Sequence, residues 1–299
     1  MFGGLIMVKD VSYEYDKKKV CKKVKKHYKK YDPFLLKGME VALKRIITAV
    51  NAREKIVIYG YYDVDSITSI AILLLVLRYL NADVEYYIPN DENIERTLRS
   101  KDILNHIEFL GTDLIISLGC GMNSHKEIEL CKELGIDVVV LDTEKTSVDR
   151  LDAYVINPNQ DSCSYPFKGL SFVGLTFKLV QALSRYYKLK SFNKYVDLVM
   201  IGTTASEVDL SDENGIFFTE GIYQVNHTNN YGLKALMKIN DLKQISEDNV
   251  NQLIECIIPR VNPIGKMDNA KIVVELLTTT DLLRAEQIAK YLHKEANKE

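Results

Sequence analysis

The sequence contains no CxxC pair. Its five cysteines, Cys21, Cys120, Cys131, Cys163 and Cys256, are scattered and odd in number, which indicates neither a disulfide framework nor a zinc site and predicts a reducing compartment. Charge of one sign is not in excess either: 39 Lys and Arg stand against 41 Asp and Glu, for a net charge of -2. No global field therefore draws the molecule onto nucleic acid, and any polyanion site must be a local patch. No apolar run reaches membrane-spanning length, and the N-terminus lacks the charged start, apolar stretch and small-residue cleavage pattern of a secretion signal. The expectation is a cytoplasmic protein without a membrane partner. Internal repeats and low-complexity tracts are absent as well.

A chain of 299 residues with this mixed composition suits one large domain or two small ones and can bury a real core. From Lys55 onwards, five apolar runs rich in β-formers, KIVIYGYY, DVEYYIP, DLIISLG, DVVVLD and AYVINP, alternate with helical segments. Such alternation predicts an α/β fold, a parallel β-sheet flanked by helices, with function gathered at the carboxyl ends of the strands. The helices are marked by SITSIAILLLVLRYL after the first strand and by HKEIELCKELG, where Gly135 supplies the stop. SFVGLTFKLVQAL reads as a core helix in which Gly174 allows close packing.

Residues 1–54 read as a helical N-terminal preface, 55–210 as the α/β core and 211–299 as a helical C-terminal region. In the preface, nine lysines between Lys17 and Lys30 surround Val20, Cys21, Val24 and Tyr28 at helical spacing. Lys22, Lys23, Lys25 and Lys26 are candidates to track phosphates there; the alternative is a solvated helix face. Asp32-Pro33 breaks that helix from a second one, FLLKGMEVALKRIITAV. The C-terminal region carries a loop at IIPRVNPIGKMDNA and finishes in the helix DLLRAEQIAKYLHKEANKE. His27, His106, His125, His227 and His293 sit in unrelated contexts and are assigned no role. Cys120, at a strand end with no base partner in sequence, reads as a small buried thiol.

The first strand runs into YGYYDVDSITS, which places Asp63 and Asp65 two apart where a helix begins. Carboxylates so placed suit Mg²⁺ or Mn²⁺, and a pair of such ions can clamp the attacking and leaving oxygens of a phosphodiester. A helix N-terminus also attracts Asp for capping. Around this pair the chain reads DPFLLKGMEVALKRI, IVIYGYYDVDSITSIAIL, VEYYIPN, DLIISLGCG, LGIDVVVLD, INPNQDSCSYPFKGLSFVGLTFKLVQAL, DLVMIGTTASEV and PRVNPIGKM. In that order the blocks resemble the RecJ-type single-strand-specific exonucleases of the DHH phosphoesterase family, collinearly from about Asp32 to the C-terminus.

The resemblance implies a DHH-type core whose active members hold two metal ions, and its ligand positions can be followed one by one. Asp63 and Asp65 match the first-motif ligands, with Tyr61 in place of a family aspartate and Ser66 in place of a glycine. The next ligand aspartate is Gly119, the Asp-His-His signature is Asp142-Thr143-Glu144, and the last ligand aspartate is Ser206. Two divalent ions held close together repel, and only several anionic ligands, themselves held by ordered hydrogen bonds, compensate. With ligands lost at Gly119, Thr143, Glu144 and Ser206, the resemblance implies no working catalytic residues and either no metal or weakly bound Mg²⁺ or Mn²⁺. The sequence also stops at a helix similar to the family's linking helix, so the second, DHHA1-type domain with its glycine- and histidine-rich clamp is expected to be missing.

Two functions are compatible with these residues. In the first, the chain is a catalytically inactive RecJ-like protein that binds single-stranded nucleic acid or acts as a scaffold subunit in DNA replication or repair. Its protein partner would be an intact RecJ-like nuclease or a replication factor, and the family offers a precedent in an inactive RecJ-like subunit of the eukaryotic replicative helicase. PRVNPIGKM is similar to the family's PRxNAxGR loop, which makes Arg260, Asn262, Gly265 and Lys266 its phosphate-binding candidates; Arg260 fits equally well as a buried tie between loop and sheet. In the second, the chain is a metal-dependent 5′-3′ single-stranded DNA exonuclease or phosphoesterase with a rebuilt site, in which Asp63, Asp65, Asp142 and Glu144 hold one Mg²⁺ or Mn²⁺.

Overall fold

The computed structural model describes residues 30–89, 95–145, 151–259 and 266–297. Strands β1 (Lys55–Tyr59), β2 (Asp83–Tyr87), β3 (Leu114–Leu118), β4 (Asp137–Leu141) and β5 (Tyr154–Ile156) form one sheet. Every pairing is parallel and the order is β2-β1-β3-β4-β5. These are the five runs expected from the sequence. Ile56, Ile58, Leu114 and Ile116 point into a core on one face, and Val57, Tyr59, Ile115 and Val138 into a core on the other. Because both faces are covered, the strands are apolar throughout and not alternately polar.

Helix α1 (Met39–Ala52) precedes β1 and α2 (Val64–Tyr79) follows it; α3 (Ser100–Asp102) is a single turn and α4 (His125–Glu133) leads into β4. After the sheet come α5 (Phe172–Tyr187), α6 (Val196–Ala205), α7 (Asp212–Val225), α8 (Tyr231–Ile239), α9 (Val250–Glu255), α10 (Lys266–Thr278) and α11 (Leu282–Ala296). Helix α2 is buried on all sides, as its almost uninterrupted apolar sequence requires, and it packs among the sheet, α5, α6 and α10. The approach of α6 to α2 depends on Gly202, where an added Cβ would lie 2.3 Å from Thr68 Oγ1. One apolar core runs on from Leu36 through α2 to Val273, Leu277 and Leu292, so the helices after residue 210 pack onto the same core as the sheet.

Several local expectations can be checked at the backbone. Gly135 stops α4 with φ +74, its N–H reaching Lys132 O and the N–H of Ile136 reaching Cys131 O, the paired bonds of a left-handed helix ending. Gly174 lies under the Phe217 ring, whose Cε2 would be 3.1 Å from an added Cβ. The second helix of the preface starts later than its sequence suggests. Asp32 caps a short 3-10 turn over Pro33–Leu35, and α1 begins only at Met39, after Gly38 at φ +84. A Cβ on Gly38 would meet Val155 O at 1.9 Å, so contact with β5 fixes the break. The lysine-rich segment up to Lys29, with Lys22, Lys23, Lys25 and Lys26, lies outside the described residues. Lys30 is described and pairs with Asp212 at 2.8 Å.

Candidate functional site

The chain passes from β1 to β2 on one side of β1 and to β3 on the other, so the carboxyl ends of β1 and β3 flank the crevice where such sheets bind ligands. Asp63 follows β1 as the N-cap of α2, its Oδ1 accepting the N–H of Ser66 at 2.8 Å. The capping function foreseen for this motif is therefore in use. The other oxygen, Oδ2, accepts from Nη2 of Arg96 at 2.5 Å.

Asp65 faces inward. Its Oδ1 accepts the N–H of Val173 at 2.7 Å, in the first turn of α5, and its Oδ2 accepts the hydroxyl of Ser206. Burial pushes its carboxyl up to about 7; the bond from Ser206 opposes that rise and the charge of Asp63 adds to it. Ser206 caps the C-terminus of α6 and its hydroxyl also lies 2.7 Å from Gly202 O. Ser206 thus serves as hydrogen-bond partner to Asp65.

Gly119 follows β3 with φ +67. A Cβ placed there would meet the Phe172 ring at 3.7 Å and Arg96 Nη1 at 3.9 Å, so the position faces the cleft and has ordinary room. Asp142 follows β4 and is buried, with Oδ1 accepting the N–H of Glu144 at 2.9 Å. Burial raises its carboxyl to about 6. Thr143 is half-buried and Glu144 exposed; the INPNQ segment holds their loop, Asn159 Nδ2 donating to Thr143 O at 2.7 Å and Asn157 Nδ2 to Glu144 O at 2.8 Å. Cys120 is buried, and burial pushes its thiol up, in keeping with an unreactive core residue.

A cavity of about 990 Å³ opens here, lined by Asp63, Asp65, Arg96, Thr143, Ser206 and Glu207 among others. Asp142 and Glu144 are not in its lining. Arg96 is the functional residue that the sequence did not announce. It belongs to the irregular stretch after β2, where neither periodicity nor a motif marks it; the only signal was its place beyond the carboxyl end of a strand next to the crevice. Its guanidinium lies 5.2 Å from the Tyr61 ring centroid and its charge acts on Asp63, Asp65 and Asp142 alike. Arg260, Asn262 and Gly265 fall outside the described residues. Lys266 opens α10, and its side chain is also outside them.

The family model for the DHH family, N-terminal domain, matches residues 55–203. The single-stranded-DNA-specific exonuclease RecJ of Bacillus subtilis (strain 168) is 37% identical over 274 residues, which cover 90% of this chain and 34% of that protein. The chain thus spans about a third of the length of this relative. The crystal structure of an exonuclease RecJ bound to manganese matches with a TM-score of 0.77 at 25% identity, over 87% of this chain and 66% of that one. RecJ from Thermus thermophilus in complex with Mn²⁺ matches with a TM-score of 0.73 at 26% identity, over 87% of this chain and 38% of that one.

Both of those solved structures hold manganese. As placed, the side chains here do not fit a pair of such ions. Asp63 is taken up by its helix cap and by Arg96, Asp65 by Ser206 and the Val173 N–H, and position 119 offers no donor. Among the described residues, no three His, Cys, Asp or Glu side chains converge as a metal site would need.

Proposed function

This chain belongs to the DHH family through residues 55–203 and is a homologue of the RecJ exonucleases, and from that premise we propose that it binds single-stranded nucleic acid without cutting it, as a RecJ-like subunit of DNA replication or repair. The observation that carries this reading is the guanidinium of Arg96 bonded to Asp63. A cation built into the chain balances a carboxylate that the manganese-dependent geometry would need free, and a single charge does not clamp the two oxygens of a displacement. The sheet, the crevice and the motif order are kept, so a protein partner such as an intact RecJ-like nuclease or a replication factor could still be engaged. Any Mg²⁺ or Mn²⁺ would be held weakly. No helix among the described residues is long and apolar enough to cross a membrane, and the proposed setting is the cytoplasm.

The experiment is incubation of 5′-labelled single-stranded DNA with the protein in Mn²⁺, beside Asp63→Ala/Asp65→Ala, with retention of the strand recorded in parallel. The expected result is a strand retained and uncut. Cleavage that disappears in the double variant would overturn the proposal and establish the rebuilt carboxylate site of Asp63, Asp65, Asp142 and Glu144.

A further inference from the structure

Among the described residues, the carboxyl groups of Asp63, Asp65, Glu207 and Glu255 line the crevice against the guanidinium of Arg96. The opposite end of α2 is different. Sixteen residues of helix, about 24 Å, separate Asp63 from Tyr79, where α2 and α5 both terminate. A hollow of about 520 Å³ opens there, lined by Tyr79, Tyr187, Lys188, Lys190, Lys194 and Tyr195 among others. A second hollow of about 260 Å³ shares Lys188 and adds Arg185. No Asp or Glu lines either one. In a chain with slightly more acids than bases, that segregation makes a local positive patch of the kind the overall charge leaves room for.

Lysines near helix C-termini can merely balance the backbone dipoles, and magnitudes decide between the readings. Two helix ends together present about one negative charge, whereas three lysines face the joined hollows, Arg185 being already paired with Asp32 at 2.8 Å. None of the three lysines pairs with a carboxylate among the described residues. The tyrosines supply the second half of the chemistry. Tyr79, 68% exposed, is the face open to stacking; Tyr187 beside it is fixed by its hydroxyl donating to Asn51 Oδ1 at 3.2 Å, and Tyr195 is buried with Lys194 5.0 Å over its ring. Ammonium groups that track a backbone, set beside aromatic faces on which bases stack, are the elements of single-strand recognition.

We propose that this lysine- and tyrosine-lined hollow at the joined ends of α2 and α5 is the single-stranded nucleic-acid site of the chain, distant from the crevice. It rests on the reading that the chain binds such strands, and it says where.

The test is fluorescence anisotropy of a 5′-labelled oligo-dT across a range of salt, with the full chain. Lys188→Glu/Lys190→Glu/Lys194→Glu is compared with Lys126→Glu/Lys234→Glu/Lys243→Glu, which changes the net charge equally at exposed positions elsewhere. Lys188→Gln/Lys190→Gln/Lys194→Gln serves if the charge reversals unfold, as circular dichroism would report. The hollow variants are expected to bind about tenfold more weakly or worse, with a salt slope shallower by about 2, and the control to bind nearly as the parent does. Tyr79→Ala is expected to lose about fivefold at an unchanged slope. If both lysine sets weaken binding equally, or neither does, the location is wrong while strand binding stands. If the parent retains no strand, the underlying reading fails. Displacement by poly-glutamate at equal affinity, with Tyr79→Ala silent, would make the hollow an acidic-peptide site and overturn the proposal.

Discussion

Nη2 of Arg96 lies 2.5 Å from Oδ2 of Asp63, so the stretch after β2 holds the carboxylate delivered by the end of β1. The pair spans the point where the strand order reverses, which is where such sheets bind their ligands. An arginine there is always charged, so Asp63 is balanced by a cation of the chain itself.

That relationship predicts the outcome of rebuilding the site. Arg96→Ala/Gly119→Asp/Ser206→Asp removes the internal cation and adds two carboxylates. Position 119 has room for the new side chain, and Asp tolerates its left-handed backbone better than most residues do. Calorimetric titration with Mn²⁺ should show affinity rising by about tenfold or more over the parent. Equal affinity in parent and variant would mean that Arg96 does not stand in for the metal.

Ser206→Ala takes the hydroxyl from a carboxyl whose other bond among the described residues is to the Val173 N–H. A buried polar group stripped of a partner costs about 1–3 kcal/mol. Urea denaturation should show a lower midpoint at unchanged slope. An unaltered midpoint would mean that the bond contributes nothing.

Lys178 and Glu213 form a buried ion pair between α5 and α7, and Glu213 also accepts from the hydroxyl of Tyr165. Lys178 Nζ further donates to Tyr31 O at 3.1 Å, which ties the chain's approach to α1 onto the core. Lys178→Met leaves Glu213 buried without its cation and should destabilise by about 3–5 kcal/mol. Lys178→Met/Glu213→Leu, which removes both charges, should recover much of that loss. A double variant no better than the single one would sink the argument.

The sheet was legible because β-formers recur in short runs separated by well-marked helices, and the DxD motif was legible because it sits at a strand end. What lay beyond the sequence are contacts between distant segments. The bond from Ser206 to Asp65 joins residues 141 apart, and position 206 read from its motif alone shows only a missing ligand. Arg96 sits in an irregular stretch without periodicity. The late start of α1 depends on β5 pressing on Gly38, more than a hundred residues away in the chain. The basic hollow exists because α2 and α5 end together, which no local pattern in either helix declares.

The last prediction concerns pH. Asp197 in α6 is buried, and burial raises its carboxyl from 3.8 to about 6, against bonds from the Thr228 hydroxyl and the Leu198 N–H and the charge of Lys194. A group that binds its proton more tightly folded than unfolded adds stability at low pH and loses it as pH climbs through the folded value. Stability should therefore fall between about pH 4 and pH 6, by about 3 kcal/mol for this one group. Asp197→Asn keeps an acceptor for Thr228 but does not titrate, so its unfolding free energy should fall less than that of the parent over the same window. The residual slope would come from Asp65 and Asp142, which burial shifts in the same direction. Parallel curves for parent and variant in urea melts at stepped pH would show that Asp197 titrates alike folded and unfolded, and that the cost of its burial is met by its hydrogen bonds.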